Sequence, residues 1–160
     1  DMAFPKVGNL APKFSLSDHE GNTVSLADFK GKSAVVVYFY PKAMTPGCTA
    51  QAQGLRDSAK ALKGLNTLVL GISPDPVNKL AKFVERDELN FQLLSDEDHA
   101  TADKYGAWGP KKFMGREFDG ILRTTFIVGK DGKLKAVMDK FKTKDHHTEL
   151  LAALKALDLG

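Results

Sequence analysis

The run Ala34-Val35-Val36-Val37-Tyr38-Phe39-Tyr40, cut off by Pro41, constrains this chain most. Its β-branched and aromatic side chains suit a strand buried on both faces, and it is far too short to span a bilayer. Proline cannot continue a central strand. Just beyond it, Thr45 reads as the N-cap of a helix and Pro46 as its first residue. Cys48, Ala52, Leu55, Ala59 and Leu62 then mark one face at helical spacing. A buried strand therefore leads straight into an amphipathic helix, with a cysteine in the first turn.

The rest of the chain alternates around that junction. Phe14–Ser17, the Glu20-Gly21-Asn22 turn and Thr23–Leu26 suggest a hairpin, and Leu26–Lys32 one helical turn closed by glycine. Thr67–Ile72 is a second buried strand. A helix with Val77, Leu80, Ala81 and Val84 as its stripe starts near Ser73-Pro74-Asp75-Pro76, and Glu97–Tyr105 is a shorter one. Ile121–Val128 and Leu134–Met138 flank Lys130-Asp131-Gly132, a hairpin signal. Asp145–Leu157 closes the chain as an amphipathic helix with Leu150, Leu151, Leu154 and Leu157 inward. Strand–helix–strand alternation followed by a hairpin and a terminal helix predicts an α/β, thioredoxin-like fold. Its mixed central sheet has helices on both faces and an N-terminal hairpin.

No repeat or linker divides the chain, so residues 2–160 are expected to form one domain; Asp1 ahead of Met2 looks like a cloning remnant. A chain of 160 residues can bury enough surface to fold without disulfide staples. The 23 basic and 20 acidic residues are interspersed, which argues against a nucleic-acid patch; no membrane association is expected either. A single cysteine excludes an internal disulfide and any multi-cysteine metal site, and suits a reducing, cytoplasmic setting. Neither a metal nor another cofactor is expected. Adjacent His146 and His147 do not share a helical face and read as a solvated helix start.

A cysteine in a first helical turn faces free N–H groups and the positive end of the helix dipole, which favour a thiolate. Thr45 can bring a hydroxyl beside the sulfur, and Gly47 lets a backbone N–H approach closely. The segment offers no obvious cation beside the sulfur. The same residues also suit a small buried hydrophobe and a plain N-cap, so composition and periodicity leave a thiol enzyme and an unspecified α/β domain equally open.

Resemblance decides between them. Pro41-xxx-Thr45-xx-Cys48 resembles the active-site signature of peroxiredoxins. Its fuller form, Tyr38 to Thr49, is similar to the bacterioferritin comigratory protein group, also called peroxiredoxin Q. The likeness extends to Val7-Gly8-xx-Ala11-Pro12-x-Phe14, Leu70-Gly71-Ile72-Ser73, Leu93-Leu94-Ser95-Asp96, Tyr105-Gly106-Ala107-Trp108 and Phe118-Asp119-Gly120-Ile121-x-Arg123-xx-Phe126. It implies a thiol peroxidase of hydrogen peroxide and organic hydroperoxides that works through a sulfenic acid. In that enzyme Cys48 is the nucleophile, Thr45 binds the peroxide, Pro41 shields the thiolate, and Arg123 is the missing cation. Gln51 falls where the group has a polar helper, so Gly47 and Gln51 are expected to touch substrate.

The chain departs from the group where a second cysteine would close the cycle. Gln53 stands five residues after Cys48, and Val84 and Ala102 occupy other positions where relatives carry one. A one-cysteine cycle is therefore expected, in a monomer, with thioredoxin or glutaredoxin/glutathione as the external reductant. A phosphatase would need Cys-x5-Arg and a disulfide oxidoreductase Cys-x-x-Cys, and neither is present. The remaining alternative is a non-enzymatic redox sensor that passes oxidation to a partner.

Overall fold

All six residues of Ala34–Phe39 (β3) are buried, and the strand lies inside a seven-stranded mixed sheet. The computed structural model describes residues 3–159; Asp1, Met2 (the expected start of the domain) and Gly160 lie outside the described residues. β3 pairs in parallel with Thr67–Ser73 (β4), Val36 opposite Val69, and antiparallel with Thr124–Val128 (β8), Val37 opposite Phe126. With neighbours on both sides, every β3 side chain meets a packed layer, as the unbroken apolar run requires.

Pro46–Asp57 (α1) and Ala59–Gly64 (α2) join β3 to β4, and Val77–Asp87 (α3) joins β4 to Gln92–Ser95 (β5). The N-terminal hairpin, Ser15–Asp18 (β1) with Thr23–Ser25 (β2), attaches through β1 to β5. Ala100–Lys104 (α4) leads to a separate ribbon, Trp108–Phe113 (β6) with Arg116–Ile121 (β7). Leu134–Met138 (β9) completes the sheet beside β8, and His146–Leu157 (α5) ends the described fold. The sheet order is β2-β1-β5-β4-β3-β8-β9. Helices cover both faces, as expected. Val36, Tyr38 and Tyr40 pack with residues of α1, α3 and α5; Val35, Val37 and Phe39 pack with Ala102, Tyr105, Phe14 and Leu26.

Several local expectations need correction. The helix expected to run through Leu62 breaks at Ser58, whose hydroxyl donates to the Gly54 carbonyl at 2.8 Å, leaving Ala59 exposed. In α3 the core residues are Leu80 and Phe83, and Ala81 faces solvent. The helix expected over Glu97–Tyr105 begins only at Ala100, because Asp96 takes the N–H groups of Thr101 and Ala102 at 3.1 and 2.9 Å. The strand expected over Ile121–Val128 is two strands interrupted at Leu122 and Arg123. The β6–β7 ribbon and β5 have no counterpart in the expected element order.

Gly71 in β4 has a steric reason. A Cβ there would stand 2.9 Å from the Tyr38 ring and from Leu93, so only glycine lets Tyr38 lie across the sheet beneath α1. Among the described residues no helix is long and apolar enough to cross a membrane.

Candidate active site

β3 stops at Phe39, and the chain crosses from Tyr40 to Thr45 before α1 begins. Pro41 is half-buried at the strand exit. Met44 sits at φ +66°, a left-handed conformation that costs a residue with a Cβ about 1 kcal/mol or more. Thr45 follows in extended backbone as the N-cap residue, and its carbonyl accepts the Thr49 N–H at 2.8 Å. Its side chain makes no capping bond, contrary to expectation. The turn at Met44 brings the Lys42 carbonyl within 2.8 Å of the Thr45 hydroxyl, which donates to it. The hydrogen is thus committed, while the oxygen keeps lone pairs for another donor.

Cys48 is the third residue of α1 and is 1% exposed. Its Sγ accepts a hydrogen bond from an Arg123 terminal nitrogen at 3.3 Å. The other terminal nitrogen of Arg123 donates to Gln51 Oε1 at 2.6 Å. Among the described residues no carboxylate lies within ion-pair distance of Arg123. A half-buried guanidinium without a carboxylate is costly unless another anion faces it, and the group facing it is the sulfur. Cys48, Gln51 and Arg123 are therefore brought together, 75 residues of sequence separating the cation from the thiol. Gln51, expected to touch substrate, is fully buried and accepts from the arginine.

Gly47 borders the same site. A Cβ on it would lie 3.6 Å from Arg123 and 3.7 Å from the Thr143 hydroxyl, in ordinary contact. Thr143 belongs to the short 3-10 turn Thr143–Asp145 before α5, and nothing in its local sequence marked it as a neighbour of the site. Lys111 was missed as well. Its stem crosses β7 at Gly120, Cδ 3.3 Å from the position of an added Cβ, and burial pushes its ammonium below the usual lysine range. Arg123 adds to that shift and Cys48 opposes it, so Lys111 is a second cation within electrical reach of the sulfur.

The histidine pair corrects a further expectation. His146 is fully buried, not solvated, and shares a 2.8 Å hydrogen bond with the Thr125 hydroxyl through Nε2. Burial pushes its imidazole down to about 3, with the charges of Arg123 and His147 adding to the shift. A neutral ring therefore stands behind the cation. His147 packs on Gly54 of α1, where any Cβ would collide with its ring.

The outer side of α1 is strapped to α3. Gln53 donates to Asp87 Oδ1 at 3.0 Å, Arg86 binds Asp87 Oδ2 and the Thr49 hydroxyl, both at 2.8 Å, and Arg56 binds the Asp87 carbonyl at 2.8 Å. Gln53 and Val84, where the resemblance implied a cysteine in other members, serve as a strut and as partly buried packing.

The comparisons with known proteins agree on one family. The AhpC/TSA family profile matches residues 7–137. Peroxiredoxin Bcp of Escherichia coli is 55% identical over 94% of this chain and 96% of its own. Peroxiredoxin Bcp of Bacillus subtilis is 44% identical over 94% and 95%. Among solved structures, peroxidoxin BcpB of Mycobacterium tuberculosis superposes with a TM-score of 0.83 at 36% identity, covering 94% of this chain and 97% of its own. A Xanthomonas campestris bacterioferritin comigratory protein, studied for alkyl peroxide reduction, gives 0.87 at 28% identity over 99% of both chains.

Proposed function

The chain belongs to the AhpC/TSA family as a peroxiredoxin, a thiol-dependent peroxidase, and from that premise we propose that Cys48 is its peroxidatic residue in a one-cysteine cycle. One observation carries this reading: Arg123, with no carboxylate partner among the described residues, donates to Cys48 Sγ at 3.3 Å. A preorganised cation at a buried sulfur balances charge as the peroxide bond breaks.

The Cys48 thiolate attacks the terminal oxygen of a hydroperoxide. The S–O bond forms, the O–O bond breaks, and the departing oxygen takes a proton from solvent to leave as water or an alcohol. Cys48 is left as a sulfenic acid. Thr45 accepts from the peroxide O–H, the Gly47 N–H and Arg123 hold its oxygens, and Pro41 keeps bulk water from the sulfur. Gln51 acts through Arg123, which its Oε1 holds in place. An external thiol then condenses with the sulfenic acid and releases water, and a second thiol frees Cys48 from the mixed disulfide. Thioredoxin or glutaredoxin/glutathione supplies those thiols to a cytoplasmic monomer.

Multiple-turnover loss of hydrogen peroxide with added thiol tests the cycle. Wild type should turn over, and Cys48→Ser should not, because serine's hydroxyl is not ionised at neutral pH. Stoichiometric oxidation without turnover would favour a sensor, and activity in Cys48→Ser would overturn the assignment of Cys48.

A further inference from the structure

Met44, at φ +66°, bends the loop before α1 in a way that a residue with a Cβ resists, so something outside the loop must hold it. Ala43 and Met44 pack against the cluster around Tyr38 and Tyr40, and one buried hydrogen bond adds direction to that hold. The Ala43 N–H donates to Asp75 Oδ2 at 2.7 Å across 32 residues of sequence. The same oxygen accepts the Ser73 hydroxyl at 2.8 Å, and the Asp75 carbonyl accepts the Ser95 hydroxyl at 2.6 Å. Asp75 is 7% exposed, and among the described residues no lysine, arginine or histidine lies within ion-pair distance of it. A buried carboxyl held by neutral donors alone depends on the aim of each bond. These bonds join the ends of β4 and β5 to the loop that carries Thr45.

That loop decides where the Thr45 oxygen points. The turn at Met44 folds the Thr45 hydroxyl back onto the Lys42 carbonyl at 2.8 Å, leaving only lone pairs to meet a hydroperoxide O–H. Release of Ala43 would let Met44 relax and carry that acceptor away. The cation at the sulfur is held separately, by Gln51.

We infer that Asp75 is a positioning residue for peroxide reduction, fixing the Ala43–Thr45 segment so that Thr45 meets the peroxide in register. The inference rests on Cys48 being the attacking thiolate, as proposed above.

The test compares hydrogen peroxide with iodoacetamide, which needs the thiolate but no oriented O–O bond. Asp75→Ala should lose about tenfold or more in its rate with peroxide, while alkylation stays within about threefold of wild type. Asp75→Asn keeps an amide oxygen for Ala43 and should recover most of the peroxide rate. An unchanged peroxide rate in Asp75→Ala overturns the inference. A parallel loss of both rates, or no recovery in Asp75→Asn, overturns it too. If Asp75→Ala does not fold, Asp75→Thr, one bond too short for Ala43, is judged by the same criteria. A wild type that consumes no peroxide overturns the reading of Cys48 and this inference with it. An active wild type matched by Asp75→Ala overturns the inference alone.

Discussion

Gln51 and Arg123 are joined by a 2.6 Å hydrogen bond whose acceptor lies one helical turn past Cys48. The guanidinium thus spans two rungs of α1, one terminal nitrogen on the amide oxygen and the other on the sulfur. The helix that presents the thiol also aims its cation.

Arg123→Met should keep the fold and slow the reaction with peroxide by roughly 10²-fold or more, the scale for losing a preorganised charge-stabilising group. Gln51→Leu, which leaves the charge but frees the guanidinium, should fall between that variant and wild type. Stopped-flow peroxide rates and alkylation at pH 6 measure both. Wild-type rates in Arg123→Met would mean that the contact at Cys48 has no part in the reaction.

Thr45→Val removes the hydroxyl that binds the Lys42 carbonyl and keeps the side-chain shape. The peroxide rate should drop, and urea unfolding should show a loss of about 1 kcal/mol, the typical net value of one hydrogen bond. A stability loss with an unchanged peroxide rate would reduce Thr45 to a loop brace.

His146 gives stability a pH slope. An unfolded histidine titrates near 6.5, whereas burial holds the folded one at about 3. Between those values the unfolded chain binds a proton that the folded chain does not. The contribution is therefore complete above about pH 6.5 and fades as pH falls toward 3, by up to about 1.4 kcal/mol per pH unit. Urea midpoints at pH 7 and pH 5 should show the decline. His146→Phe keeps an aromatic ring beside Tyr38 and Phe141 and should flatten the slope. An equal slope in that variant would assign the effect to another group.

Oxidised protein should stay monomeric. Limited peroxide should give Cys48 sulfenic acid that a dimedone-type reagent traps, excess peroxide should overoxidise it, and a small thiol should give a mixed disulfide. Intact mass distinguishes these. Quantitative conversion to a disulfide-linked dimer would rule out the external-thiol cycle.

The junction of β3 and α1 was legible because burial on both sides demands an unbroken apolar run, and Pro41, Thr45 and Pro46 punctuate it. β5 was not, since four residues carry too little pattern to separate from loop. The β6–β7 ribbon escaped because Trp108–Phe113 holds a glycine, a proline and two lysines, and its turn places Met114 at φ +51° where asparagine would be the usual signal. His146 was misread because its partner Thr125 lies 21 residues upstream, on β8. Asp75 looked like part of a helix start, and its bond to Ala43 is visible only once β4 lies beside β3. Local chemistry was readable; contacts made by distant strands were not.

The strap between α1 and α3 bears on mechanical economy. Five residues along a helix turn a side chain well away from Cys48, so a cysteine at position 53 could reach the sulfur only if α1 unwound. Gln53 and its neighbours tie down that same surface through Asp87 and Arg86. The arrangement makes α1 a fixed bearing where a disulfide from position 53 would need a hinge. The one-cysteine cycle proposed above asks for no unwinding of α1 to bring in a cysteine from position 53, only for an opening that admits a reducing thiol to a sulfur that is 1% exposed.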